Sequence, residues 1–149
     1  MRSILIAEDE SRIAAFLEKG LLKNGYRSTI ATDGAQALSF LDVENFDVLL
    51  LDIGLPVLDG WEVLSKLRER RRPISIILLT ARDEAREKVS EFSDIVDDYI
   101  AKPFRFQYLI DRIRNCLNEN SKWAEKSFSY TCRVHPFSYS TRLEPKSNG

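Results

Sequence analysis

The sequence predicts an α/β fold in which helices cover both faces of a parallel β-sheet. Short apolar runs without polar alternation recur along the chain, which is typical of strands buried on both faces of such a sheet. The segments between them carry apolar residues at helical spacing, so that strand and helix alternate five times. This alternation implies right-handed crossovers. A chain of 149 residues that is 44% hydrophobic is long enough to bury one core of this kind.

Five apolar runs are the predicted strands. Residues 4–7, 48–51 and 74–79 form compact runs, and residues 29–31 and 99–101 form two weaker ones. Four of the five helices are predicted from apolar residues that line one helix face or from residues typical of helix ends. The helix after the fourth apolar run is predicted from the alternation of strand and helix alone.

The helices are predicted from the residues at their ends or from an apolar stripe along one face. The pair Asn24-Gly25 is predicted to end the first helix, and Asp33-Gly34 to start the second. A turn at Pro56 and Asp59-Gly60 precedes the third. The stripes are Ile13, Phe16, Leu17 and Leu21 in the first helix; Trp61, Val63, Leu64 and Leu67 in the third; and Phe106, Leu109, Ile110, Ile113 and Leu117 in the last.

Charge and cysteine content exclude several classes of protein. The chain has 22 basic and 23 acidic residues, and this balance removes the simplest argument for a nucleic-acid or membrane-surface protein. Cys116 and Cys132 have no metal-binding spacing, so we propose no zinc site and expect a reducing compartment. No apolar run approaches a signal-peptide core or a membrane span. We therefore expect a cytoplasmic protein without membrane contact.

The charge changes sign near Ser121, where we predict a boundary. Residues 1–120 carry a formal charge of −4, and residues 121–149 carry +3. In the second segment, apolar and polar residues alternate over 128–135 and again over 137–140, which predicts one or two edge strands. His135, the one histidine of the sequence, is assigned no role.

Polar residues follow the predicted strands at one edge of the sheet. Glu8 and Asp9 follow the first run, Asp52 the third, Thr80 the fourth and Lys102 the fifth. Open α/β sheets bind ligands at this carboxyl edge. If the first and third strands are neighbours, the three carboxylates repel one another unless a cation joins them. Mg²⁺, ahead of Ca²⁺, is the cation that this ligand set favours.

The motifs at this edge resemble the receiver domain of two-component response regulators. The matching pieces are Ile6-Ala7-Glu8-Asp9-Glu10, Ala31-Thr32-Asp33-Gly34, Leu49-Leu50-Leu51-Asp52-Ile53-Gly54-Leu55-Pro56 with Asp59-Gly60, Leu79-Thr80-Ala81-Arg82-Asp83, and Asp97-Asp98-Tyr99-Ile100-Ala101-Lys102-Pro103-Phe104. They cover essentially all of residues 1–120, and the residues in the Thr-Ala-Arg and Asp-Asp-Tyr segments are similar to those of the OmpR/PhoB-type subfamily. The resemblance implies a flavodoxin-like (βα)5 doubly wound sheet with strand order 2-1-3-4-5, and a receiver domain at 1–120. Residues 121–149 are then a linker or tail, and two interpretations stay open: the start of a winged-helix output domain, or an unstructured extension.

The resemblance also implies residue roles at the edge. Asp52 would accept a phosphoryl group from the phosphohistidine of a sensor histidine kinase, and Thr80 and Lys102 would contact the phosphoryl oxygens. Mg²⁺ would lie between Glu8, Asp9, Asp52 and the main-chain carbonyl of Gly54. Such chemistry needs positioning and charge neutralisation more than covalent steps.

Phosphorylation is further expected to change a distant surface. Thr80 and Tyr99 are the implied switch residues, and they would couple the site to helix four, strand five and helix five. On that face we expect a phosphorylation-promoted homodimer. The charges assigned to it are Lys88, Asp97, Asp98, Arg112 and Arg114. Two departures from the family pattern, Tyr108 and the pair Ile95-Val96, predict a weaker dimer and a different end of helix four.

Three other classes of protein fit the sequence less well. An aspartate-dependent phosphatase would place a second aspartate two residues after the nucleophile, where this chain has Gly54. A flavin carrier would need a phosphate loop where Glu8-Asp9-Glu10 repel phosphate, and a pure interaction module would not need the acidic residues. We therefore expect a signalling switch and not an enzyme that turns over free substrates. Since the sequence ends before a recognition helix, we expect no nucleic-acid contact from this chain.

Overall fold

The computed structural model describes residues 1–70, 73–81 and 86–118, and it confirms the predicted fold. Five parallel strands form one sheet in the order β2-β1-β3-β4-β5, with helices on both faces. The strands are β1 (Arg2–Ala7), β2 (Tyr26–Ala31), β3 (Val48–Asp52), β4 (Ser75–Ala81) and β5 (Asp98–Lys102). The helices are α1 (Ser11–Lys23), α2 (Gly34–Val43), α3 (Gly60–Arg70), α4 (Arg86–Glu91) and α5 (Phe106–Leu117).

The largest error in the predicted strand bounds concerns β2, at the edge of the sheet. The strand begins at Tyr26, three residues before the predicted run. The prediction missed these residues because Arg27 is exposed and Ser28 is half-buried, so they do not extend the apolar run. An edge strand is covered on fewer sides than an inner one, so its sequence shows no continuous apolar run. At β4 the bound differs the other way, since the strand begins at Ser75 and leaves Ile74 outside.

The predicted helix ends are confirmed. Asn24 follows α1, and Gly25 takes a φ of 88°, a conformation in which glycine is not strained. Asp33 caps α2 by accepting a hydrogen bond from the N–H of Gln36 at 2.7 Å. At the start of α3, the side chain of Asp59 accepts from the N–H of Glu62 while the side chain of Glu62 accepts from the N–H of Asp59, each at 3.0 Å. This reciprocal pair is a capping box.

Two apolar cores lie on opposite faces of the sheet. Helices α1 and α5 cover one face, through side chains such as Leu17 and Ile113. Helices α2, α3 and α4 cover the other. Phe16, predicted to lie on the buried stripe of α1, is instead 57% exposed and packs edge-to-face on Phe106 of α5 at 5.6 Å. It occupies the margin of the stripe, where α1 meets α5.

Several predictions concern parts of the chain outside the described residues. These are the boundary near Ser121, the strands and the domain role of 121–149, Cys132 and His135, together with Arg82 and Asp83 of one motif. Within the described part of the chain, no helix is both long enough and apolar enough to cross a membrane.

Candidate functional site

Strand register brings the predicted acidic residues together. Ala7 of β1 pairs with Leu51 of β3, so that Glu8 and Asp52 are the next residues along two neighbouring strands. One carboxylate oxygen each from Glu8, Asp9 and Asp52 lies within 4.8 Å of the others. We call these three residues the acidic cluster.

The acidic cluster has the composition of a site for a hard divalent cation. Glu8 is 1% exposed and Asp52 9% exposed, while Asp9 is open to solvent. Carboxylate oxygens are ligands that Mg²⁺ and Ca²⁺ prefer, and close carboxylates repel one another without a cation. Gly54 adjoins the cluster, and its N–H donates to Asp52 Oδ1 at 3.3 Å. A role for its carbonyl as a metal ligand stays a prediction.

Lys102 reaches into the acidic cluster from β5. Its Nζ donates to Glu8 Oε1 at 2.9 Å and lies 3.6 Å from Asp52 Oδ1. Burial alone would lower the pKa of Lys102, but the hydrogen bond to Glu8 and the attraction of both carboxylates outweigh it, so the pKa is raised. Lys102 therefore places a fixed positive charge beside Asp52.

Burial dominates the electrostatics of Glu8. Desolvation raises the pKa of its carboxyl, and repulsion from Asp52 raises it further. The hydrogen bonds from Lys102 and from the N–H of Glu10 oppose this rise without cancelling it. The ionised form of Glu8 is therefore the costly one, and positive charge at the cluster favours it.

Thr80 lies on β4, the strand beside Asp52, and Tyr99 lies on β5, the next strand out. Leu79 pairs with Asp52 across the sheet, and the next residue, Thr80, is 3% exposed. Tyr99 pairs with Leu78 on the following strand, and its half-buried ring packs against the core under α2, α3 and α4. Thr80 therefore lies beside Asp52 and Tyr99 one strand farther away, and the switching of both residues stays a prediction.

The charges predicted for a dimer face are arranged differently from the expectation. Arg112 of α5 holds Asp98 of β5 through two hydrogen bonds, one of them 2.6 Å from Nη2 to Oδ1. Asp97 accepts from the N–H of Ile76 at 2.8 Å. Both aspartates are therefore engaged within the chain.

Arg114, which was also assigned to the predicted dimer face, lies against the end of α1. It donates to the side chain of Asn24, at the end of α1, at 3.2 Å. Two residues span about 200° around a helix, so Arg112 and Arg114 lie on opposite flanks of α5. Lys88 is exposed on α4, and its Nζ lies 5.9 Å from the Trp61 ring centre.

Two pairings at the site were not predicted from the sequence. The partner of Lys102 was expected to be a phosphoryl oxygen, and the structure shows Glu8 as its partner. The pair of Arg112 with Asp98 within the chain was likewise not predicted, although both residues were assigned to the dimer face. Separations of 94 and 14 residues along the chain give no local sequence signal for either pair.

A family model for the response regulator receiver domain matches residues 4–114. Among curated proteins, the chain is 38% identical over 117 residues to the transcriptional regulatory protein PcoR of Escherichia coli. That match covers 78% of this chain and 52% of PcoR. The chain spans about half the length of these curated relatives.

Solved structures give the same likeness. The response regulator TrrA of Thermotoga maritima, in complex with Mg(2+)-BeF, is 33% identical with a TM-score of 0.71, over 78% of this chain and 99% of that one. A second structure holds TrrA in complex with the histidine kinase ThkA, at 30% identity and a TM-score of 0.69, with the same coverage.

Proposed function

The chain belongs to the response regulator receiver domain family of two-component systems, with OmpR/PhoB-type relatives, and from this membership we propose that Asp52 accepts a phosphoryl group from a phosphohistidine of a sensor histidine kinase. The observation that carries the proposal is the acidic cluster with Lys102 beside Asp52. The kinase complex of TrrA supports this choice of partner.

The transfer is a simple exchange of bonds. An oxygen of Asp52 forms a bond to phosphorus while the bond between phosphorus and the histidine nitrogen breaks, and the imidazole keeps the electron pair. Lys102, charged and 3.6 Å from Asp52, offsets negative charge that the phosphoryl group brings. The Thr80 hydroxyl would donate to another phosphoryl oxygen. Positioning and charge compensation account for most of such catalysis.

Glu8, Asp9 and Asp52, with the carbonyl of Gly54, would hold Mg²⁺. The chemistry of the donors fits this ion, because three carboxylate oxygens already lie within 4.8 Å of one another. When bound, Mg²⁺ supplies charge neutralisation at the phosphoryl oxygens. The ion pair with Lys102 gives the buried Glu8 carboxylate a positive partner of its own.

We further propose that the phosphorylated domain acts as a signalling switch, catalysing its own phosphorylation and dephosphorylation only. Gly54 stands two residues after Asp52 and offers no side chain for acid or base catalysis. PcoR is a transcriptional regulatory protein, and control of transcription is the output that we propose for the protein to which this domain contributes.

Intact-mass measurement tests the proposal directly. After incubation with acetyl phosphate and Mg²⁺, we expect the wild-type chain to gain the mass of one phosphoryl group and Asp52→Asn to gain none. Asp9→Ala removes a ligand and should raise the Mg²⁺ concentration needed. A phosphoryl group found on another residue of the wild-type protein would contradict the proposal.

A further inference from the structure

The end of α4 is held against α3 by one arginine side chain. Arg68 of α3 donates to both carboxylate oxygens of Asp94, at 3.0 Å from Nε and 2.7 Å from Nη2. The same Nη2 donates to the main-chain carbonyl of Glu91, the last residue of α4, at 2.6 Å. The guanidinium also lies 4.5 Å from the ring centre of Phe92. We name these contacts of Arg68 with Glu91, Phe92 and Asp94 the Arg68 clamp.

The position of helix α4 depends on contacts with other parts of the fold. Val89 of this helix is 3% exposed and belongs to the core that α2 and α3 also cover. Most of the stability of a helix in a protein comes from such packing and not from helix propensity. Tertiary contacts therefore decide where α4 lies.

The Arg68 clamp satisfies a carbonyl at the end of α4, which in many helices is done by a residue with positive φ. Many helices end on glycine with positive φ, whose N–H satisfies one of the last carbonyls. Among the described residues between Glu91 and Asp98, none has a positive φ, and Ile95 and Val96 are β-branched residues that disfavour it. Here the guanidinium of Arg68 reaches the carbonyl of Glu91 instead.

A second contact between the same two helices adjoins the clamp. The ring of Trp61, in the first turn of α3, stacks on Phe92 with centroids 5.8 Å apart. Phe92 is 5% exposed. Any displacement of α4 from α3 therefore changes the surroundings of the Trp61 indole, which makes Trp61 a reporter of the position of α4.

The ion pair of the clamp is charged at neutral pH. The hydrogen bond from Arg68 lowers the pKa of Asp94 below its ordinary value of 3.8. Isolated exposed ion pairs contribute little, but here a two-pronged carboxylate pair, a helix carbonyl and an aromatic ring share one guanidinium. The comparable pair of Arg70 with Asp42 instead links α3 to α2.

We propose that Arg68 is a positioning residue that holds the C-terminal end of α4 in its place while Asp52 is unphosphorylated. Thr80 lies in β4, the strand before α4 in the chain, so we expect a phosphoryl group bound there to act on the helix that the clamp restrains. An interaction made in only one of two states biases the equilibrium toward that state. The inference rests on the proposed function of Asp52.

The test follows the fluorescence of Trp61 in the full chain carrying Trp123→Phe, during titration with beryllofluoride and Mg²⁺. Arg68→Met keeps the apolar stem over Phe92 and removes the charge. We expect it to lower the beryllofluoride concentration at half-maximal change about fivefold, and Asp94→Asn to act in the same direction. Arg70→Met, the matched control, should leave that concentration unchanged.

Rates provide a second readout that a purely structural role would not change. Arg68→Met should be phosphorylated faster by acetyl phosphate, because its reactive conformation is more populated. An unchanged midpoint and rate in both Arg68→Met and Asp94→Asn, or an equal shift in Arg70→Met, would overturn the inference while Asp52 chemistry stands. A response of Asp52→Asn equal to that of the unsubstituted chain would instead overturn the proposed function, and the inference with it.

Discussion

At the residue scale, Val57 in the loop after Asp52 has a strained backbone. Its φ is 69°, and the N–H of Leu58 donates across it to the carbonyl of Pro56 at 2.8 Å, which makes a γ-turn of the rare positive-φ kind. A β-branched residue in this region costs about 1–3 kcal/mol. Its side chain is 74% exposed and contributes little packing.

Replacing this residue by glycine should therefore stabilise the fold. We expect Val57→Gly to raise the free energy of unfolding by about 1 kcal/mol, the relief of strain exceeding the added entropy of the unfolded chain. Urea denaturation with an unchanged m-value measures this. Gly25→Ala is the reverse control: φ is 88° with nothing within 4 Å of the added Cβ, so it should lose about 1 kcal/mol from conformation alone. A lower free energy of unfolding in Val57→Gly would show that strain at Val57 does not destabilise the fold.

The individual site residues were predictable to different degrees, for a physical reason. Glu8, Asp52, Thr80 and Lys102 each end or follow an apolar strand, and parallel strands deliver such residues to one edge. The ion pair of Lys102 with Glu8 was not predictable, because it depends on side-chain geometry across the whole sheet.

At the element scale, the start of α2 is packed directly on the loop that follows β3. A Cβ at Gly34 would lie 1.9 Å from the carbonyl oxygen of Leu58 and 2.7 Å from the Leu58 Cβ. The carbonyl belongs to the backbone, so the loop itself must move. We expect Gly34→Ala to lower the free energy of unfolding by about 1–3 kcal/mol, by urea denaturation.

Gly54→Ala is the matched control for this overpacking. Nothing lies within 4 Å of an added Cβ at Gly54, and its φ is outside the left-handed region. The same substitution there should be neutral or stabilising by about 0.4–1 kcal/mol, since it restricts only the unfolded chain. Equal losses at both positions would show that the contact with Leu58 is not the cause.

Elements with a strong pattern were predictable, and those held by tertiary contacts were not. The central strand β3 is buried along its whole length, so its run of apolar residues predicted it well. For α4 the sequence predicted a helix from alternation alone, and its end is set by Arg68 from another helix. Propensity is a weak guide where packing decides.

At the scale of the whole molecule, association through α4, β5 and α5 must compete with an internal ion pair. Arg112 holds Asp98 within the chain, donates to the hydroxyl of Tyr108 at 3.2 Å and lies 5.2 Å from that ring centre. Burial alone would lower the pKa of Arg112, but the hydrogen bonds to Asp98 raise it, so the pair stays charged. Reciprocal pairs across a two-fold axis would have to replace this satisfied pair.

We therefore expect a weak homodimer that forms on phosphorylation and dissociates as salt rises, because exposed ion pairs contribute only about 0.2–1 kcal/mol each. Sedimentation velocity with and without beryllofluoride, at low and high salt, measures this. Arg112→Glu should abolish the dimer, whereas Arg114→Glu, on the other flank of α5 against Asn24, should leave it intact. A monomer under all conditions, or equal loss in both variants, would remove this face from the mechanism and leave the chemistry at Asp52 untouched.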